Sequence, residues 1–552
     1  MGNSLSDLQR LALHDIETKI REPVISLQDE EKLRGLTTIP AMTLKEKILS
    51  GEVTLSQVLD VFHLRRQKEN NDFRLVTDVL YTRSQEKAKE LQKKVDAGEG
   101  KDLPLLGFVM SVKDSILMQG FKSTCGMVAN YPHIYDKPTP LLDYLESQGA
   151  LIVSRSNLPQ LLYSLESLNH IFGEARNPLD ESRTPGGSSG GDSGQLALGL
   201  VNVGLGSDGA GSLRIPALFC GLTTVKVTAS RFDQSLLNTL LETHPDMPSV
   251  RDFSSTPTTI GPICRSVADL EVFLRVYNDF NRIDRTLPPL PWRQPEFRKR
   301  VASIAPFALF ELSDATSRAQ KTAESALISQ GFEIVPLDFA DFIEELISLC
   351  LSLLMKNTIL SDVLLRKHHM KEPILNVYNE LALVFSIPSA ILKVAKGKYS
   401  LREQFMISAL IQAREVNNNV LLRKLADFKA KIIKIFESNG VDLALCPGLP
   451  PAVPRGSSGE LTLSVIYMFI WNILDFPSGA ITTTTVNEDE QHYSSKHQDK
   501  FTRRMEEVMK NSAGLPVGVQ VVGPPFAEEN IVELLKIIEA NVQFKLPKTK
   551  LD

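Results

Sequence analysis

From about residue 100 onward, short apolar runs of strand length alternate with longer stretches of helical period. The strand-like runs are LPLLGFVMSVKDS (103–115), ALIVSRS (150–156), LVNVGLGSD (200–208), VASIAPF (301–307), FEIVPL (332–337), VDLALCP (441–447), AITTTTV (480–486) and LPVGVQVVG (515–523). Between them lie VADLEVFLRVYNDF (267–280), SRAQKTAESALISQG (317–331) and EENIVELLKIIEA (528–540). Strands alternating with helices predict an α/β fold, a sheet covered by helices on both faces. The first 98 residues read mostly as helices and are expected to form an arm packed on the core. Within them Gly51 breaks the helical pattern and Thr54 starts the next helix as N-cap. A Pro-rich surface connection (282–299) and a polar loop (488–500) interrupt the later pattern without separating independent units. With no internal repeat, a single large domain is predicted.

Composition narrows the function classes. The net charge is −5, so no basic field favours nucleic acid. Five cysteines lie far apart, at 125, 220, 264, 350 and 446, with no C-x-x-C pair. That pattern predicts reduced thiols in a cytoplasmic compartment, with neither disulfide frame nor zinc site. His368 and His369 are adjacent, lack a helical metal-ligand spacing, and are expected on a surface helix. No metal or cofactor is predicted. No run of eighteen apolar residues predicts a spanning helix, and no signal peptide is read at the start. The opening MGNSLS fits a myristoylation pattern with Gly2 as acceptor, as it equally fits an unmodified frayed terminus.

The chemistry concentrates in residues 183–214, RTPGGSSGGDSGQLALGLVNVGLGSDGAGSLR, which hold ten glycines and five serines. GSDGAGS (206–212) has the glycine spacing of a phosphate loop but Ser212 where such a loop needs lysine. GGSSG (186–190) matches G-x-S-x-G, yet the polar NPLDESRTP before it is no buried strand, as a nucleophile elbow requires. A glycine-rich structural turn accounts for one cluster but not for serines in both. A fourth reading joins them. The backbone N–H groups of Gly209, Ala210, Gly211 and Ser212 can converge on an anion, placing Ser212 as a nucleophile beside an oxyanion hole. Such donors stabilise a tetrahedral intermediate by roughly 3 kcal/mol each.

TPGGSSGGDSG followed by GLGSDGAGSLRIPALFCG resembles the signature of the amidase signature family. Ser188 and Ser212 lie 24 residues apart, and Lys113, at the end of a buried strand, precedes Ser188 by 75. NPLD, VDLALCPGLP, NILDFPSGAITTTTV and NSAGLPVGVQVVG extend the resemblance over most of the chain beyond residue 100. It implies a central mixed twisted sheet, with residues 99–545 as the catalytic domain. It also implies a Ser-Ser-Lys triad: Ser212 as nucleophile, Ser188 as a proton relay held by a cis peptide bond, and Lys113 as base and later acid. Ser189 is implied in support, and Asp208 and Arg214 are implied to brace the oxyanion loop, against the alternative of a surface ion pair. Two departures stand out. Ala210 replaces a frequent glycine, which is compatible with a donated N–H at negative φ. LTTVKVTAS (222–230) replaces a more usual GLKPT and is read as packing.

A lysine base must be neutral, so its ordinary pKa of about 10.4 has to fall toward roughly 7 to 8. Burial in GFVMSVK does this by penalising the charged form. On a strand Ser111 and Lys113 share one face while Asp114 points away, so Asp114 is not expected as counter-ion.

LSVIYMFIWNILDFPSGAITTTTV and KNSAGLPVGVQVV are most similar to the fatty acid amide hydrolases. The resemblance therefore implies hydrolysis of long-chain amides, with a small- or aryl-amide amidase or a transamidation subunit as alternatives. The apolar region 342–397, ending in Lys393, Lys396 and Lys398, reads either as a core helix with a basic turn or as a helix resting on a membrane surface. The expected partners are thus a small-molecule amide, a lipid one foremost, and a peripheral membrane contact. Oligomeric state stays open between monomer and homodimer.

Overall fold

A computed structural model describes residues 5–24, 33–237, 257–284, 287–367 and 387–551. Gly2, His368 and His369 lie outside the described residues. The strands are β1 (Val76–Val79), β2 (Val109–Lys113), β3 (Leu151–Ser156), β4 (Leu168–Asn169), β5 (Gly173–Glu174), β6 (Val203–Asp208), β7 (Thr223–Lys226), β8 (Thr259–Cys264), β9 (Arg300–Ile304), β10 (Glu333–Leu337), β11 (Leu443–Pro447), β12 (Ser478–Thr485) and β13 (Pro516–Val522). Eleven of them form one sheet in the order β1-β3-β2-β6-β8-β7-β12-β13-β11-β9-β10, and β4 pairs with β5 alone.

The sheet is mixed. β3, β2 and β6 run parallel, as do β11, β9 and β10. The strands between these wings pair antiparallel. Parallel neighbours need crossovers long enough for a helix. The helices Pro140–Ser147, Gly190–Leu198 and Asp314–Ser329 lie in those connections. Alternation along β2 divides the two faces. Met110 and Val112 belong to the core cluster that also holds Leu270, Phe273 and Ile531 of the helices Val267–Asp284 and Glu528–Asn541. Val109, Ser111 and Lys113 face the other way, toward the Gly190–Leu198 helix.

All eight apolar runs contain strands, and the three amphipathic stretches are helical. β1, β7 and β8 were not legible. β1 is four residues inside the helical N-terminal stretch, and it pairs antiparallel with β3 at the sheet edge. β8 carries Gly261 and Pro262, which weaken strand propensity; pairing with both β6 and β7 overrides it. β7 lies within LTTVKVTAS, where packing was expected, and its Lys226 is buried with Nζ donating to Phe476 O at 3.1 Å. Thr54 caps its helix as expected, in a reciprocal box with Gln57. None of the five cysteines is joined in a disulfide among the described residues, and all five are buried.

The helix Ile343–Lys367 begins in the core through Leu346, Ile347 and Cys350. Beyond the undescribed residues, the Ser389–Ala395 helix buries Leu392 but leaves Val394 86% exposed, with Ile391, Tyr399 and Leu401 exposed around it. Among the described residues no helix is long and apolar enough to cross a membrane.

Candidate active site

The glycine clusters let backbone approach backbone. A Cβ on Gly191 would lie 2.3 Å from Asn157 N and 2.7 Å from Leu75 O, so the Gly190–Leu198 helix lies against the chain beside β3 and β1. A Cβ on Gly206 of β6 would lie 2.5 Å from Ser189 Oγ. The two serine-bearing loops are thereby brought together at the end of β2. Ser189 joins them, its N–H donating to Ser212 O at 3.1 Å and its Oγ accepting from Ser207 N at 3.3 Å. No strand precedes Ser188, so the strand–turn–helix of a nucleophile elbow is not formed.

Lys113 ends β2 with its side chain fully buried. Its Nζ donates to Ser188 Oγ at 2.7 Å, to Ser207 Oγ at 3.0 Å and to Ser207 O at 3.4 Å. All three acceptors are uncharged. Burial therefore dominates and lowers the Lys113 pKa to about 7, opposed by the more distant charges of Asp192 and Asp208. Asp114 points away, as expected: it accepts from Thr124 N at 2.9 Å and lies 3.8 Å from Arg155.

Ser188 is buried and follows a cis Gly187–Ser188 peptide. Ser212 is partly exposed and follows Gly211, whose φ of +110° is glycine territory. Ala210 is not among the residues of positive φ, the condition its methyl group needed. No hydrogen bond joins Ser188 Oγ to Ser212 Oγ among the described residues, so the link from Lys113 reaches Ser188 and stops there.

Asp208 and Arg214 are both fully buried and form an ion pair at 3.0 Å, so the surface-pair alternative does not hold. Asp208 also accepts from Gly211 N at 2.6 Å, Leu213 N at 3.2 Å and Asn472 Nδ2 at 2.8 Å. Burial works against its charge, but Arg214 and these donors outweigh it and hold the carboxyl well below the usual range. Arg214 donates onward to Gln520 Oε1 at 2.8 Å, Met468 O at 3.2 Å and Asn472 Oδ1. The Gly211 N–H is thus committed to Asp208. Gly209, Ala210 and Ser212 supply the other N–H groups of the loop.

Sequence reading missed Ser207, Asp192, Asn472 and Gln520. The first two stand inside the serine-rich segment, where Asp192 is the acid nearest the GGSSGG run. The other two reach the site only through tertiary contact. Among the described residues no group of three or more His, Cys, Asp or Glu side chains is placed to hold a metal.

Residues 58–532 match the family described as Amidase. The chain belongs to the amidase family. This amidase is 28% identical over 523 residues to fatty-acid amide hydrolase 1 of Sus scrofa, covering 91% of this chain and 86% of that one. It is 27% identical over 513 residues to an amidase of Gibberella moniliformis, covering 90% and 87%. Its fold superposes on a solved fatty acid amide hydrolase with a TM-score of 0.76 at 21% identity, covering 99% and 92% of the two chains. The protein is an amide-hydrolysing enzyme of the amidase signature type.

Proposed function

We propose that this amidase cleaves long-chain fatty acid amides through an acyl-enzyme on Ser212. The observation that carries the mechanism is the buried Lys113 amine, 2.7 Å from Ser188 Oγ and held by uncharged partners. Neutral Lys113 takes the Ser188 proton as Ser188 takes that of Ser212. Ser212 Oγ then attacks the amide carbonyl carbon. The oxyanion is held by the loop N–H groups of Gly209, Ala210 and Ser212, while Asp208 keeps Gly211 and the loop in place. On collapse, the Lys113 proton passes back through Ser188 to the departing nitrogen, and the amine leaves. Water repeats the sequence on the Ser212 ester and releases the carboxylate.

Two observations support the lipid substrate. Apolar side chains crowd the nucleophile loop: Met468 and Ile215 bound Gly211, and Ala210 packs against the cluster that includes Leu165 and Phe219. The relatives named as fatty acid amide hydrolases span nearly the whole chain. The exposed Ile391, Val394, Tyr399 and Leu401, interleaved with Lys393, Lys396 and Lys398, suit a peripheral membrane contact through which such a substrate would arrive.

A fluorophosphonate probe tests the nucleophile: it should label wild type and not Ser212→Ala. Lys113→Ala should lower hydrolysis by at least a thousandfold at pH 7 while remaining folded. Turnover of oleamide should exceed that of acetamide and of glutamine by orders of magnitude. Labelling at Ser188 removes the assignment of Ser212, and preferred turnover of acetamide removes the lipid substrate.

A further inference from the structure

Among the described residues Lys113 has no charged partner in contact, yet one carboxylate is built into the same face of the sheet. Asp192 stands in the first turn of the Gly190–Leu198 helix and is fully buried. Its Oδ1 accepts from Ser111 Oγ at 2.6 Å, and Ser111 is two residues before Lys113 on β2. Two residues along a strand span about 7 Å, so the carboxylate sits beside the root of the lysine side chain. The close approach is enforced from behind, where a Cβ on Gly204 of β6 would lie 2.8 Å from Asp192 Cβ. Asp192 Oδ2 makes no direct hydrogen bond among the described residues, while Ser156 of β3 stands near enough to favour the charged carboxylate. A buried carboxylate so lightly satisfied is costly.

We infer that Asp192 is a positioning residue that sets the proton affinity of Lys113, holding the base strong enough to draw the proton from the serines. This rests on the reading of Lys113 as base. The groups facing the pair are few. Lys113 also senses Asp208 from β6, which is committed to Arg214, and the Cys125 thiol. Asp192 also faces Arg155 of β3, whose Nη2 donates to Ile116 O at 2.7 Å and Ser123 Oγ at 2.9 Å and whose Nη2 lies 3.8 Å from Asp114. Asp192 is accordingly the nearby carboxylate whose charge is not already committed to an arginine in contact. Burial raises its own pKa, and the hydrogen bonds from Ser111 and Ser156 together with the charges of Lys113 and Arg155 oppose that rise and favour the carboxylate.

A unit charge roughly 7 to 12 Å away, at an effective dielectric of about 20, moves a pKa by between about one and two units. Asp192→Asn should therefore shift the acid limb of kcat/KM for amide hydrolysis down by that amount. The plateau should fall as well, because the base is weaker. Asp192→Glu keeps the charge and should restore the limb to within about half a unit of wild type. Ser111→Ala, which frees the carboxylate from its hydrogen bond and favours its neutral form, should move the limb the same way by less. A purely structural role would lower the plateau and thermal stability and leave the limb in place. An unmoved limb in Asp192→Asn overturns the inference, as does an unmoved limb in Ser111→Ala if the asparagine variant does not fold. Lys113→Ala assayed alongside separates the two claims. Activity retained there refutes the base itself, whereas activity lost there with an unmoved limb in the Asp192 variants refutes this inference alone.

Discussion

Replacing Asp208 by asparagine removes one charge from a fully buried ion pair. The Arg214 guanidinium stays buried, with Gln520, Met468 and Asn472 as neutral acceptors. Breaking a buried pair in this way costs about 3 to 5 kcal/mol, because one ion is left uncompensated. Unfolding entropy of about 2.1 cal/mol/K per residue amounts to about 1.2 kcal/mol/K for 552 residues, so Tm should fall by about 3 to 4 °C. The pH dependence follows from the sign of the shift. The folded Asp208 pKa lies well below its unfolded value of about 3.9. Its stabilisation is therefore complete above that value and is lost only as pH falls through the folded pKa. The Tm difference should be constant from pH 5 to 9. Thermal and urea unfolding of Asp208→Asn, Arg214→Met and the double variant form a cycle, and the double variant should recover at least half of the single loss. The same asparagine variant loosens the loop that carries Gly211, so fluorophosphonate labelling of Ser212 should slow at least tenfold. A wild-type Tm in Asp208→Asn, or a double variant no better than the singles, would refute the paired-charge account of the loop.

Because the Lys113 pKa falls to about 7, kcat/KM should rise about tenfold per pH unit below that value and level off above it. A flat profile from pH 5 to 8 would place the base elsewhere. Gly191→Ala puts a methyl group into the Asn157 backbone, where no side chain can swing aside, and should lower Tm by several degrees or abolish folding. A wild-type Tm there would refute the close-approach reading of the cluster. Val394→Asp should weaken sedimentation with phosphatidylserine vesicles at least fivefold without changing turnover of a water-soluble amide; unchanged sedimentation removes this surface from membrane contact.

Much of the sheet was legible because its strands are apolar runs flanked by helical stretches, and burial on both faces leaves that mark in composition. The strands that escaped notice were either too short to stand out or carried residues that argue against a strand until a partner supplies the hydrogen bonds. β8 keeps Gly261 and Pro262 between β6 and β7, and β1 is four residues long at the edge. The same division holds at the site. Lys113, Ser188, Ser212, Asp208 and Arg214 could be singled out because they sit in short segments of unusual composition, set by chemistry more than by packing. Asn472 and Gln520 could not, since each reaches Arg214 across more than 250 residues of chain. Asp192 was visible as a residue but not as a neighbour, because its closeness to Lys113 depends on a helix lying at glycine distance on the sheet. Local order thus specified which groups could react. Folding across the sheet decided which of them are dry, which are paired, and consequently which proton each one holds at neutral pH.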